Sequence, residues 1–339
     1  MFCRRGKAQI KIGEITMAID MKAFQDQLEF TGIIPVIKLD DTSKAVELAK
    51  ALREGGINAA EVTFRAAGAD RVISDMTKAF PDMLVGAGTV TTIEQCDAAI
   101  AAGAKFCVAP GLNAKVVKHC LDKGVPFAPG VANSSQIEEA MELGLDFVKF
   151  FPAEQAGGLA YIKSISAPYS NMKFMPTGGV NEKNLNTYLG FKKIICAGGS
   201  WIVPGDLIKN GDWAGITALC RTAVNKMLDF QIVHVGVNCA DENEAKDTTA
   251  KFAKMFGWEQ KVGNSSVFAG TAVECMKSPF KGKNGHIAVA TNSLRRAVYQ
   301  LNAMGIETEK KATEIDADTK AVYLKDEFSG FAVHLVERK

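Results

Sequence analysis

The feature that most constrains this chain is a regular alternation of short apolar runs and amphipathic stretches, continuing from about residue 30 to residue 228. The apolar runs fall at residues 33–37, 59–64, 84–88, 106–109, 126–128, 147–151, 173–176 and 193–196. Each recurs after roughly 20 to 27 residues, the length of one strand–helix unit. Between them, residues 43–55, 92–103, 114–124 and 134–144 carry helical apolar spacing and end on glycine, a common helix stop. Eight such units predict an α/β chain closed into a (β/α)8 TIM barrel. The alternative on pattern alone is an open, doubly wound sheet. No G-x-G-x-x-G opens the first helix, which weighs against a dinucleotide-binding fold.

At 339 residues the chain suits a barrel followed by a smaller module. Its hydrophobic share of 47% is ample for a core. A formal net charge of +2 gives no reason to expect nucleic acid or an anionic membrane as partner. No apolar run approaches the roughly 20 residues of a membrane span. The 8 cysteines form no C-x-x-C pair, as expected of reduced, buried thiols in a cytoplasmic protein. Residues 1–21 read as a leader. They carry Arg4, Arg5, Lys7 and Lys11 without a continuous apolar core, unlike a secretory signal, and Met17 and Met21 follow closely. The expectation is a disordered remnant of an upstream start or of a vector.

The sharpest chemical signal is Asp146-Phe147-Val148-Lys149-Phe150-Phe151-Pro152-Ala153-Glu154. It places one lysine inside a strand-like apolar run, with Phe147, Lys149 and Phe151 on one face. Burial among phenyl rings disfavours a charged amine. A neutral amine can attack a ketone and form a Schiff base. The plainer reading is a lysine at a strand end whose ammonium reaches out to water.

In a barrel, chemistry gathers at the C-terminal ends of the strands. The second strand ends Glu61-Val62-Thr63-Phe64-Arg65, with Glu61, Thr63 and Arg65 on one face. The third ends Gly86-Ala87-Gly88-Thr89-Val90 and the fourth Ala109-Pro110-Gly111. The seventh ends Pro176-Thr177-Gly178-Gly179 and the eighth Ala197-Gly198-Gly199-Ser200. Glycine turns after the last two strands are where barrels often hold phosphate, since backbone N–H groups can approach an anion closely there. Either Gly-Gly alone reads first as a plain tight turn, a reading weakened by both falling at these two strand ends.

With these motifs in order, residues 22–226 resemble the bacterial 2-keto-3-deoxy-6-phosphogluconate and 4-hydroxy-2-oxoglutarate aldolase family, Schiff-base (β/α)8 lyases. The resemblance rests on EVTFR at 61–65, GAGTV at 86–90, PGVA at 129–132, VKFFPAE at 148–154, PTGG at 176–179 and GGSW at 198–201. It implies Lys149 as the imine-forming lysine and Glu61 as the general acid/base. It implies that Arg65 and Thr89 hold the pyruvate carboxylate and that Pro110 and Phe151 line the pocket. Thr177, Gly178, Gly179 and Ser200 would meet substrate phosphate. Ala66 and Asn133 depart from the threonines common in relatives. The resemblance further implies a small 2-keto acid substrate, no cofactor, no metal in the aldol chemistry, and a homotrimer.

Residues 229–339 form a second unit with an internal repeat. His234-Val235-Gly236-Val237 matches His286-Ile287-Ala288-Val289, each followed by a helix (242–256 and 293–304) and closed by a strand (272–274 and 332–334). Two such βαβββ units resemble the vicinal-oxygen-chelate fold, on weaker motifs than the barrel's. In that fold the positions of His234, Glu274, His286 and His334 supply metal ligands, and a glutamate is usual where His334 stands. The plainer reading is an interaction module without metal.

Overall fold

The computed structural model describes residues 20–338. The expected leader lies outside the described residues except for its last two positions. Asp20 caps the first helix, its carboxylate accepting from the Ala23 N–H at 2.9 Å, and Met21 opens it.

The elements follow the expected alternation. Helix α1 (Met21–Thr31) leads into β1 (Ile33–Ile37), α2 (Ala45–Glu54), β2 (Ala59–Thr63), α3 (Ala69–Ala79), β3 (Leu84–Gly88) and α4 (Ile93–Ala101). Then come β4 (Cys107–Val108), α5 (Ala114–Asp122), β5 (Phe127–Ala128), β6 (Gly130–Val131), α6 (Ser134–Glu142), β7 (Phe147–Phe150) and α7 (Gly158–Ser166). Finally β8 (Lys173–Pro176), α8 (Leu185–Leu189), β9 (Ala197–Gly199), α9 (Gly205–Asn210) and α10 (Trp213–Leu228) complete the first part. The helices start where the sequence offers caps. Thr92, Asn113 and Asn133 accept from the N–H groups of Gln95, Lys115 and Gln136. Asn133, one of the two departures, is thus an N-cap, a position where asparagine serves as well as threonine.

All neighbouring pairs in this sheet are parallel. Strand β1 lies between β2 and β9, and the ladder continues through β3, β4 and β5. Strands β5 and β6 are two halves of one strand broken at Pro129, which has no N–H to give. Strand β6 pairs with β7 and β7 with β8. Bridges Phe174↔Ile194 and Thr177↔Gly198 join β8 to the β9 segment and close the ring. The eighth strand lies at 197–199 rather than the expected 193–196. Its ladder with β1 begins only at Ile33↔Ala197, because residues 191–194 are used in the turn that brings the chain across.

Inside the ring, alternation sends Ile34, Ala59, Leu84, Phe106, Val108, Ala128, Phe147 and Met175 inward, where they pack as one apolar cluster. Phe24 of α1 closes its floor, with ring centroids 5.5 Å from Phe106 and 6.1 Å from Phe147. The lower barrel is therefore filled with apolar side chains.

The C-terminal region is a seven-stranded sheet with helices packed against it. Its first repeat is β10 (Gln231–Asn238), α11 (Glu242–Phe256), β11 (Gln260–Val262), β12 (Ser266–Ala269) and β13 (Val273–Met276). The second is β14 (Gly285–Thr291), α12 (Leu294–Ala303), β15 (Ala321–Phe328) and β16 (Phe331–Glu337). Each repeat pairs its first and last strands in parallel, β10 with β13 and β14 with β16, and β10 meets β14 antiparallel. The second repeat falls one strand short of the expected βαβββ. Where β11 stands in the first, the second has only the bridge Thr308↔Leu324. There the chain instead forms a short 3-10 turn at Ala312–Glu314, whose Ala312 carbonyl lies 3.5 Å from Arg295 Nε.

This region docks on the end of the barrel away from the strand C-termini. Arg296, fully buried, donates to the carbonyls of Glu29 and Ile195, both at 3.0 Å, and Gln300 donates to Gly56 at 2.9 Å. Those carbonyls precede β1, β9 and β2. Phe30 stacks on Tyr299 at 5.7 Å, and Arg295 pairs with Asp26 and Glu29.

Candidate active site

Glu61 on β2 and Lys149 on β7 both point into the barrel above its apolar floor. Lys149 Nζ lies 2.9 Å and 3.2 Å from the two carboxylate oxygens of Glu61. Lys149 is 5% exposed and Glu61 0%, so water screens the pair very little. The register explains the meeting. Glu61 sits beside Gly86 of β3, and Lys149 beside Gly130 of β6. Gly88 makes the room, since a Cβ there would lie 2.4 Å from Glu61 Oε1. The need for a bare backbone at Gly88 went unnoticed in the sequence, although GAGTV carries it. Among the described residues Glu61 forms its ion pair with Lys149 and none with Arg65, although the two share a strand face.

The other expected residues surround the mouth. Arg65 is exposed at the rim, and its Nε donates to Thr63 Oγ1 at 3.3 Å. The Thr63 hydroxyl in turn donates to the Ile37 carbonyl at 2.8 Å. Thr63 thus steers Arg65, a role the sequence reading did not give it. Thr89 follows β3 with φ 59, in the left-handed region. A β-branched residue held there is strained by of order 1–3 kcal/mol, a cost typically met where a site needs the geometry. Pro110 is exposed at the end of β4, and Phe151 is half-buried with its ring 5.8 Å from Lys149 Nζ.

Thr177 is buried, and among the described residues its hydroxyl has no hydrogen-bond partner. Gly198 gives it space, as a Cβ at 198 would lie 2.3 Å from Thr177 Oγ1. Gly178 and Gly179 take φ 99 and 81, open to glycine at little cost. Their carbonyls are tied down. Gly178 O accepts from the Glu154 N–H at 3.0 Å, and Gly179 O from the side-chain amides of Asn181 and Asn184 at 2.9 and 3.1 Å. Among the described residues their own N–H groups meet no acceptor, which leaves two donors in a concave turn beside the exposed Ser200. Glu154 also supports this turn from below, accepting from the hydroxyl of buried Tyr188. Burial and that carboxylate push the Tyr188 hydroxyl far up. Glu154 stood in the VKFFPAE motif without an assigned role.

A second cluster lies on the C-terminal sheet. His234, Glu274, His286 and His334 come from β10, β13, β14 and β16, the first and last strands of the two repeats. His234 Nε2 lies 3.1 Å from His286 Nε2, and each of these nitrogens lies 3.1 Å from Glu274 Oε2. The three histidines each bring a ring nitrogen within 4.8 Å of the others. Burial, then the neighbouring His286 and His234 rings, lowers His334 to about 4. Burial opposes ionisation of Glu274, yet hydrogen bonds from His234, His286 and Ser266 hold its carboxyl well below the usual range. Neutral imidazole and ionised carboxylate are the forms that ligate a cation. Among the described residues the buried Nδ1 atoms of His286 and His334 have no partner. The three histidines converge closely enough to fit one divalent metal, with Glu274 beside two of them.

A parallel barrel whose mouth holds a buried lysine against a carboxylate has the architecture of an imine-forming barrel lyase. The family model described as KDPG and KHG aldolase matches residues 24–219, and the chain belongs to that family. It is 46% identical over 196 residues to the 2-dehydro-3-deoxy-phosphogluconate aldolase of Treponema pallidum, covering 58% of this chain and 93% of that protein. It is 40% identical over 204 residues to the KHG/KDPG aldolase of Escherichia coli K12, covering 60% of this chain and 96% of that one. Among solved structures it resembles the KDPG aldolase of Legionella pneumophila, captured with pyruvate as a covalent carbinolamine. That match has a TM-score of 0.57 at 40% identity and covers 59% of this chain and 97% of the other. The family match ends before the C-terminal sheet begins.

Proposed function

We propose that this aldolase cleaves 2-keto-3-deoxy-6-phosphogluconate to pyruvate and glyceraldehyde 3-phosphate, and 4-hydroxy-2-oxoglutarate to pyruvate and glyoxylate. The observation that carries the reading is the buried contact of Lys149 Nζ with Glu61 at 2.9 Å. Glu61 takes a proton from the lysine, and the freed amine adds to the C2 ketone. Glu61 hands that proton to the departing hydroxyl, so loss of water leaves the protonated imine and a free carboxylate. Glu61 then removes the C4 hydroxyl proton as the C3–C4 bond breaks. The electron pair moves into the imine, leaving an enamine on the pyruvate fragment and releasing the aldehyde. The same carboxyl returns a proton to C3, and water hydrolyses the imine. Positioned proton transfer of this kind contributes roughly 10²–10⁴-fold.

In this reading Arg65 and Thr89 bind the substrate carboxylate, which the planar guanidinium suits, and Pro110 and Phe151 wall the pocket. The free N–H groups at Gly178 and Gly179, with Thr177 and Ser200, receive the phosphate. The test is steady-state cleavage of both substrates by the full chain. The expected result is turnover of both with higher kcat/KM for the phosphorylated one; no cleavage of either would overturn the reading.

We also read residues 22–228 as the aldolase unit, assembled as a cytoplasmic homotrimer as the family resemblance implies, and residues 229–339 as an attached chelate-like module. The convergence of three histidines, with Glu274 against two of them, favours that second reading. His234, Glu274, His286 and His334 would hold a divalent ion such as zinc, iron or nickel. Such an ion supplies Lewis acidity when bound.

A further inference from the structure

Three thiols lie together behind the barrel wall, away from both sites. Cys96 on α4, Cys107 on β4 and Cys120 on α5 each show 0% exposure. Their sulfurs all lie within 4.8 Å of one another. They come from three separate elements with no C-x-x-C motif, so the fold alone assembles them. Among the described residues none of them forms a disulfide. On the solvent side the helices are tied by the residues next to two of these cysteines. His119 is 26% exposed at its side chain and bonds Asp97 at 2.7 Å.

We propose that Cys96, Cys107 and Cys120 form a binding site for a trivalent, thiophilic centre, arsenic(III) or antimony(III). With thiolate bonds of about 2.3 Å and the near-right angles of a pyramidal centre, three bound sulfurs stand roughly 3.5 Å apart, inside the 4.8 Å within which these three already lie. Charge selects the trivalent class. A divalent ion on three thiolates leaves a net negative charge in a dry, apolar setting, which is costly without a partner. Arsenic(III) on three thiolates is neutral. Binding is an exchange without redox: As(OH)3 and three Cys–SH give As(S–Cys)3 and three H2O. Three S–H and three As–O bonds break, and three As–S and three O–H bonds form. The neighbours Ala99, Ala104, Val116 and Val117 are buried and apolar and favour the uncharged product.

The test uses the full chain, reduced with a phosphine and incubated with one equivalent of arsenite. The expected result is one arsenic per chain by native mass measurement and three sulfur neighbours by X-ray absorption. Uptake is lost in Cys107→Ala and retained in Cys239→Ala and in His286→Ala. No retained arsenic, a shell of two sulfurs and one oxygen, or uptake that survives Cys107→Ala would overturn the proposal. Should Cys107→Ala fail to fold, the unaltered chain decides by thiol mapping. Cys96, Cys107 and Cys120 are then spared from alkylation by bound arsenic, and sparing of any other set counts against the site.

Discussion

At the scale of single residues, the account rests on one ion pair and the glycine that admits it. Lys149→Met should abolish cleavage, because no other amine meets Glu61 among the described residues. Glu61→Gln should still trap pyruvate but exchange its methyl protons roughly 10²–10⁴-fold more slowly, as read by NMR in deuterated water. Gly88→Ala should cut turnover strongly while leaving the barrel folded, because its Cβ would displace Glu61 Oε1. Lys149 and Glu61 were legible because a charged residue inside an apolar run is conspicuous. Gly88 and Glu154 were not, since their work is a close approach across strands and a tie beneath a turn. Neither leaves a local pattern.

At the scale of elements, the turns after β8 and β9 carry the phosphate assignment. Ser200→Ala should weaken the phosphorylated substrate more than 4-hydroxy-2-oxoglutarate, by roughly 1.5–3 kcal/mol, the worth of one hydrogen bond to a charged group. Equal losses in kcat/KM on both substrates would remove Ser200 from the phosphate site. The C-terminal sheet has its own signature in pH. The folded pKa of His334, about 4, lies below its ordinary value of 6.5. Between those values the unfolded chain takes up a proton that the folded sheet refuses, so stability falls as pH drops from about 6.5 towards 4. Thermal melts of the metal-stripped chain from pH 7 to pH 4.5 should show this slope, and His334→Leu should flatten it. An unchanged slope in that variant would assign the dependence to other groups. Element boundaries were readable where caps and glycine stops mark them. The eighth strand and the second repeat escaped because β9 and the bridge at Thr308 are set by distant partners, β1 and β15, rather than by their own apolar content.

At the scale of the whole molecule, the two parts meet at the floor of the barrel and the chemistry faces the other way. A chain ending at Leu228 should therefore keep its turnover number but melt at lower temperature, because Phe30 loses Tyr299 and the carbonyls of Glu29 and Ile195 lose Arg296. Full-length turnover should also survive prolonged chelation, since no imine step passes through the histidine cluster. A folded truncation without activity, or an enzyme silenced by chelator and restored by one metal, would join the second sheet to the reaction. The barrel was legible as a whole because its period repeats eight times along the chain. The docking was not, because Arg296 and Gln300 read as ordinary residues on a polar helix face until the carbonyls they satisfy are seen.

The central claim is the imine on Lys149, and trapping tests it most directly. Incubation of the full chain with pyruvate and borohydride should inactivate it irreversibly, with the reduced pyruvyl group found on the Lys149 peptide alone. Label on a different lysine, or full activity after reduction with no label, would contradict the account.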